Sequence, residues 1–250
     1  MTNKINYEEN VKLIKYDKEA ALDIVNAARV SFGMRNDKEF KNKDRHLIEY
    51  LWISDHTSPF RHMHFTFYIR APIFVLNQWM KHQVGCAWNQ KSGRYIKFDS
   101  NFYTPEAFRS IPDKSIKQGS GEDLNCEDQS KALSIYRSAL NFSYAHYNEL
   151  LEAGVCREQA RSVLPLALMS ECYWTCSLHA LINFLRLRLA SDAQKEIQLY
   201  ARDVLNHVNS IDSDLSEILQ IILDYENFKI HNSKEFLNER RKARSLDETL

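Results

Sequence analysis

Hydrophobic spacing divides the chain into helix-period and strand-period segments. Ala20, Ala21, Ile24, Val25 and Ala28 recur at a helical interval and predict a helix over residues 17–32, with Gly33 as its stop. Leu47, Ile48, Leu51 and Trp52 share one face of a second helix over 44–54. The charged run from Arg35 to Asp44 between them reads as a solvated loop. Asp55 to His62 is turn-prone, with Pro59 as a breaker. From His62 to Arg70 the pattern alternates: Met63, Phe65, Phe67 and Ile69 face one way and His64, Thr66, Tyr68 and Arg70 the other. That period predicts a half-buried antiparallel strand. Ala71-Pro72 then opens a helical apolar run, Ile73 to Met80. A polar loop begins at Lys81-His82-Gln83, and Tyr95 to Phe98 reads as a short strand beyond it.

In the second half, residues 109–128 are the only weakly hydrophobic internal stretch and read as a mobile loop, because the pattern resumes at once. Gln129 to Ala153 is a long amphipathic helix ended by Gly154, and Val155 to Leu164 a shorter one ended by Pro165. Residues 168–176 fit a strand or a helix start, with Cys172 and Cys176 on one face in either case. Ser177 suits the N-cap of a helix over Leu178–Leu189. Ser191-Asp192-Ala193-Gln194 matches a capping box opening a helix to about His207. Leu215 to Tyr225 adds another helix, and residues 236–250, densely charged from Glu239, read as a solvated tail. The expectation is one α+β domain over residues 1–250, a small antiparallel sheet flanked by several long helices. With no βαβ rhythm and no Gly-x-Gly-x-x-Gly turn, a Rossmann-type nucleotide fold is not expected.

Composition narrows the class further. Hydrophobic residues at 44% of 250 positions suffice for a core. Lys and Arg total 33 and so do Asp and Glu, so the net charge is zero and no basic field points to nucleic acid. An anionic small molecule must therefore be met by a local group of cations. No run reaches membrane-span length and Met1 to Asn10 is polar, so neither anchor nor signal peptide is expected. Five scattered cysteines suit reduced thiols and a cytosolic protein.

Residues 78–95 hold the densest set of amide, cation and hydroxyl groups, with little bulk at Gly85 and Gly93. Such a loop suits a polar anionic ligand, and it also fits an ordinary polar connector. Lys81, Arg94, Arg161 and Arg188 recur at element ends, where a guanidinium offers a bidentate fork to phosphate. Each reads equally as a surface salt bridge, and spacing does not show that they converge. His62 and His64 share a strand face without a companion at zinc spacing, so no metal is assigned.

Ser92-Gly93-Arg94-Tyr95, preceded by Lys81-His82-Gln83, resembles the signature loop of the flavin-dependent thymidylate synthases. Ala28-Arg29-Val30-Ser31, Arg45 to Tyr50, His56 to His62 and Gly154 to Tyr200 supply four more blocks in the family's order. The resemblance runs from Ala27 to Ala201. It implies an α+β homotetramer with FAD and dUMP between subunits, in which NADPH reduces the flavin. 5,10-Methylenetetrahydrofolate then provides the carbon that becomes the C5 methyl of dTMP, and no enzyme cysteine attacks the base. By position, Arg188 matches the arginine that favours the N3-ionised uracil. Gln78, Lys81, Gln90, Lys91, Ser92, Gly93, Arg94 and Arg161 match nucleotide-binding positions. Ser31, Ser58, Lys81, His82, Gln83, Asn89, Gln90, Ser177, His179 and Asn183 fall where FAD is held. Several residues depart from the pattern. Lys81 and Gln83 replace arginines, Arg61 and Gln90 replace glutamates, and Ser177 and His179 stand for Asn and Arg. Asp192 stands for histidine, and the motif loop is one residue longer. These departures leave open a different C5 modification such as hydroxymethylation, use of dCMP, or a non-catalytic nucleotide- or flavin-binding protein.

Overall fold

The alternating segment near residues 62–70 becomes a central strand. A computed structural model of the chain describes residues 10–34, 40–115, 119–211 and 213–247. Strand β1 (Val11–Tyr16) pairs with β2 (His64–Pro72). Strand β3 (Cys86–Gln90) pairs with β4 (Met169–Ser177), and β2 and β4 lie side by side. All three pairings are antiparallel, giving the order β1-β2-β4-β3. The register sets Phe65 opposite Cys176, Phe67 opposite Trp174 and Ile69 opposite Cys172, and all six are buried. The opposite face carries Thr66 beside Thr175, whose hydroxyls are 3.0 Å apart, and Arg70 across from Glu171.

Helices α1 (Ala20–Arg29), α2 (Asn42–Ile53) and α3 (Ile73–Trp79) share one core with the apolar sheet face. So do α6 (Leu178–Arg188), α7 (Lys195–Asn209) and α8 (Ser213–Asp247). Trp79 sits at its centre, stacked on Phe184 of α6 at 4.6 Å and edge-on to Trp174 of β4 at 5.2 Å. Arg29 ends α1 on buried Asp44, which also accepts from the Lys41 amide at 2.9 Å and so locks α1 to the start of α2. A smaller cluster of Phe98, Tyr147, Ala160 and Leu168 joins α4 (Cys126–Glu152) to α5 (Arg157–Ala160).

The α+β architecture agrees with the sequence pattern, and the differences are local. The expected helix over 17–32 is α1 plus a 3₁₀ turn, Val30–Phe32, closed by Gly33 at φ +66°. Residues 168–176 resolve as strand β4, and Ser177 caps α6 by accepting from the Ala180 amide at 3.2 Å. Tyr95 to Phe98 is not a strand. Its backbone is taken by other partners: Tyr95 N donates to Ser92 O, Arg157 donates to Tyr95 O, and Tyr147 and Tyr144 hold Phe98 N and O. The strand in this region is β3, inside the expected loop, where Trp88 packs against Trp174. Strand β1 was not anticipated, although Val11 and Leu13 flank Lys12 at strand spacing; the alternation breaks at Ile14-Lys15, where the register shifts.

Helix α7 starts at Lys195 with Gln194 at its cap and no side-chain capping bond, so Ser191 does not open it. Within 109–128 the described ends are paired: Ser110 N donates to Glu122 O and Gly121 N to Ser110 O, and α4 begins at Cys126. Of the loop expected over 35–44, residues 35–39 lie outside the described residues, and α2 already starts at Asn42. The tail continues as the backbone of α8 to Asp247.

Trp79→Ala should remove about 3–5 kcal/mol of stability, the usual cost of emptying an aromatic site in a packed core. Ile111→Ser, at a position 92% exposed, should change stability by less than about 0.5 kcal/mol. Urea unfolding followed by tryptophan fluorescence and circular dichroism measures both.

Candidate active site

Three groups of polar side chains emerge, each positioned by a core element. The first forms where α3 meets α6. Helix α3 ends at Trp79, and the next turn is closed by His82 N donating to Trp79 O at 3.0 Å. This places the His82 ring edge-on to Phe184 at 5.3 Å, one helical turn before Arg188. Arg188 Nε donates to His82 Nε2 at 3.1 Å and Nη2 to the Gln78 carbonyl at 3.2 Å. To accept, Nε2 must lack a proton. Burial and the adjacent guanidinium lower the His82 pKa from 6.5 to about 4, so the ring is neutral near pH 7 with its proton on Nδ1.

Beside Arg188 lies a cavity of about 1000 Å³ lined by Gln78, Arg109, Arg188, Asp192, Gln194 and Lys195 among others. The Gln78 amide donates to the Gln194 side-chain carbonyl, and Gln194 Nε2 donates to Glu196 at 2.8 Å. Glu196 also receives Arg109 at 2.7 Å and Tyr103 at 3.2 Å. Burial alone would raise this carboxyl. Hydrogen bonds from its own amide, Arg109 and Gln194 outweigh burial and hold it below the usual carboxylate range.

A second group lies beyond β3. Gln90 Nε2 donates to Ser170 Oγ at 3.2 Å, and Lys91 stands 3.6 Å from Glu171. Arg94 N donates to Ser92 Oγ at 3.3 Å, while its side chain pairs with exposed Glu158 at 2.9 Å. Gly93 is buried, and a Cβ there would stand 2.3 Å from Phe98 and 3.0 Å from Arg161 Cδ. The missing side chain is what lets the loop lie against Arg161. Among the described residues no hydrogen bond or ion pair joins this group to Arg188.

The third group surrounds the amino end of α6. Gly85, at φ +74°, accepts the Ser177 amide at 2.9 Å, and a Cβ on it would meet Ser177 Oγ at 2.7 Å. A cavity of about 390 Å³ is lined here by Arg61, His64, Gly85, Cys86, Ser177 and His179 among others. Burial and then Arg61 lower the His179 pKa, with Asp55 opposing, so the ring is neutral near pH 7. The fixed cation of this cavity is Arg61.

The remaining expected positions are spread around these groups. Lys81 is exposed, the Gln83 amide turns back onto the Met80 carbonyl, and Asn89 lies exposed on β3. Ser31 and Ser58 are exposed in 3₁₀ turns, and Asn183 is half-buried on α6. Sequence reasoning assigned no site role to Arg109, Gln194 or Glu196. Gln194 and Glu196 fall inside the matching stretch Gly154 to Tyr200, which was a usable signal; Arg109 opens a weakly patterned loop and carried none.

The profile of the family described as thymidylate synthase complementing protein matches residues 12–212. The chain belongs to this family. Similar relatives include the flavin-dependent thymidylate synthases of Thermotoga neapolitana and Thermus thermophilus. The first is 46% identical over 72% of this chain and 76% of its own length, and the second 45% identical over 72% and 64%. The counterpart of Thermosipho africanus is 42% identical over 73% of this chain and 78% of its own. Among solved structures, the UMP/dUMP methylase PolB of Streptomyces cacaoi bound with 5-Br dUMP is similar. It has a TM-score of 0.74 and 32% identity, covering 84% of this chain and 94% of that one. Among the described residues no helix of this family member is long and apolar enough to cross a membrane.

Two consequences are measurable in this family member. Because the folded pKa of His82 lies below its ordinary value, the unfolded chain binds the proton more readily between pH 6.5 and about 4. His82 therefore contributes a loss of stability as pH falls through that window, and none above it. Unfolding curves of wild type and His82→Gln over this range should show the steeper decline in wild type; equal slopes would remove the neutral-acceptor assignment. Gly93→Ala should force Phe98 and Arg161 aside and cost about 1–3 kcal/mol, read as a lower urea midpoint.

Proposed function

We propose that the chain methylates C5 of dUMP to give dTMP, using FAD, NADPH and 5,10-methylenetetrahydrofolate. The observation that carries this is Arg188. It is half-buried in the large cavity and held by two neutral acceptors, the His82 ring and the Gln78 carbonyl, with no carboxylate partner among the described residues. A guanidinium fixed in this way keeps its charge for an anion that forms beside it. A uracil ring losing its N3 proton is such an anion, and the charge makes C5 more nucleophilic.

The thiols fit the same chemistry. Burial pushes the Cys172 thiol up to about 12, Cys176 well above its usual range, and Cys86 upward as well. None of these three is prepared as a thiolate nucleophile. Activation of the base then falls to electrostatics rather than to covalent attack.

Gln78 would orient the base from the end of α3, in register with Arg188. Ser92, Gly93, Arg94 and Arg161 would hold the phosphate and sugar, aided by Lys91, Gln90 and Lys81. The cavity at the amino end of α6 fits FAD in donor chemistry: a guanidinium, imidazoles and the opening turn of a helix suit a diphosphate. Arg61, Ser177 and His179 would hold the cofactor there, with Lys81, His82, Gln83, Asn89, Asn183, Ser31 and Ser58 contributing from other elements. Bound FAD supplies the reducing equivalents that complete the methyl group. Among the described residues no hydrogen bond or ion pair joins Arg188 to the Arg94–Arg161 group, which fits a homotetramer whose sites are completed by a second copy. The chain is expected to work in the cytoplasm.

Purified protein should carry flavin absorbance. With NADPH and 5,10-methylenetetrahydrofolate it should convert dUMP to a product of dTMP mass, with UMP and dCMP run in parallel. Arg188→Ala should abolish turnover while leaving flavin absorbance in place. A flavin-free protein, no product from any of the three nucleotides, or unchanged turnover in Arg188→Ala would overturn the reading.

A further inference from the structure

One carboxylate stands behind the cavity that Gln78 and Arg188 line. Glu196 is buried on the first turn of α7, and each of its oxygens has a fixed partner. Oε1 accepts from Arg109 Nη2 at 2.7 Å and from the Tyr103 hydroxyl at 3.2 Å. Oε2 accepts from Gln194 Nε2 at 2.8 Å. Burial opposes ionisation, but bonds from its own amide, Arg109 and Gln194 hold the carboxyl below its usual range. Near pH 7 it is a carboxylate and can only accept.

An acceptor-only partner fixes what a carboxamide otherwise leaves free. Turning a carboxamide over exchanges its oxygen and its nitrogen with little change in shape. Gln194 must turn its nitrogen to Glu196, so its oxygen faces Gln78. Gln78 must answer with its own nitrogen, and its Nε2 donates to Gln194 Oε1. The sense of the Gln78 amide is thus dictated two side chains away. One N–H of Gln78 is committed to Gln194. The other N–H and Oε1 form no hydrogen bond among the described residues and remain for a ligand. The backbone carbonyl of Gln78 holds Arg188 at 3.2 Å, and both residues line the same cavity.

Uracil and cytosine differ in what such an amide reads. Uracil has a donor at N3 and an acceptor at O4, whereas cytosine has an acceptor at N3 and a donor at N4. A carboxamide in one sense complements the first base, and turned over it complements the second. We propose that Glu196 is a positioning residue that, through Gln194, locks Gln78 in the sense that fits uracil and rejects cytosine. This rests on the uracil-nucleotide reading above and adds to it the group that sets base choice. Arg109 belongs to the lock because it holds Glu196 as a carboxylate.

Glu196→Gln inverts the lock. Arg109 donates only, so the substituted side chain must turn its oxygen to it. Its nitrogen then faces Gln194, which turns over in response, and so does Gln78. Gln194→Met breaks the relay at its middle and leaves the Arg109–Glu196 pair in place. Calorimetric titration of dUMP and dCMP into wild type and both variants reads the ratio of the two affinities. Wild type should prefer dUMP. Glu196→Gln should shift the ratio toward dCMP by about tenfold or more, the scale of a hydrogen bond exchanged for a mismatch, and Gln194→Met by less. Thermal unfolding shows whether each variant is folded. If Glu196→Gln is not, Gln194→Met decides alone: its ratio moves or the proposal falls. An unchanged ratio in both variants overturns the lock, as does equal weakening of dUMP and dCMP, which marks a structural role. A shift in Glu196→Gln with none in Gln194→Met also overturns it, because the effect would come from the freed Arg109. Wild type that binds dUMP and dCMP equally overturns the lock and leaves a pyrimidine-nucleotide site. A wild-type preference for dCMP overturns the dUMP reading and supports the lock where both variants lose that preference. Binding of neither nucleotide overturns both.

Discussion

The stacking of Trp79 on Phe184 governs the geometry where the ends of α3 and α6 meet. Trp79 is the last residue of α3 and Phe184 lies one turn before the end of α6, so their 4.6 Å contact fixes the two helix ends against one another. Residues on either side of that contact inherit their positions from it. Gln78 precedes Trp79, His82 closes the following turn against the Phe184 ring, and Arg188 lies four residues beyond Phe184 on the same helical face. The 3.1 Å bond between Arg188 and His82 is thus set by apolar packing rather than by attraction between the polar groups. Trp174 and Tyr200 brace Trp79 from β4 and α7, which carries the constraint into the sheet and the far helix layer.

The arginines of this electrically neutral chain meet both carboxylates and neutral acceptors. Structural ones end on carboxylates: Arg29 on buried Asp44, Arg45 on α8, and Arg109 on the hydrogen-bonded carboxylate of Glu196. Arg188 and Arg61 meet neutral acceptors instead, His82 and Gln78 for one and Thr57 for the other. A guanidinium beside a neutral acceptor is oriented without being neutralised, which leaves its charge available to an anion. Zero net charge is therefore no obstacle to an anionic substrate, because the field is local.

Much of this was legible in the sequence. Period-2 alternation identified β2, helical spacing identified α2, α4 and α6, and Ser177 announced a cap that forms as expected. Family-specific blocks pointed to the loop with Ser92 to Tyr95 and to Arg188, which lie in two separate polar groups of the structure. The sequence did not show β3, because its five residues, Cys86 to Gln90, carry amides and a cysteine whose alternation is visible only once Trp88 has Trp174 to pack on. Tyr95 to Phe98 looks like a strand by composition, but its backbone groups are claimed by side chains of α4 and α5. Such claims are long-range, and no local pattern encodes them. The same holds for Arg61 and His179, which are far apart in sequence and come together where the Leu178 amide donates to the Met63 carbonyl at 2.9 Å.

The cysteines show how burial settles a chemical question that sequence left open. Cys172 and Cys176 share the apolar face of β4, and Cys86 stands opposite Cys176 on β3. Ionising any of them would place a charge in or beside the core, and each is accordingly held as a thiol. Cys126 and Cys156 are exposed but lie at the starts of α4 and α5. A pyrimidine C5 can be activated by covalent addition of a thiolate or by stabilising negative charge on the ring. In this chain the large cavity is lined by an oriented guanidinium and no cysteine, so the geometry favours the second route.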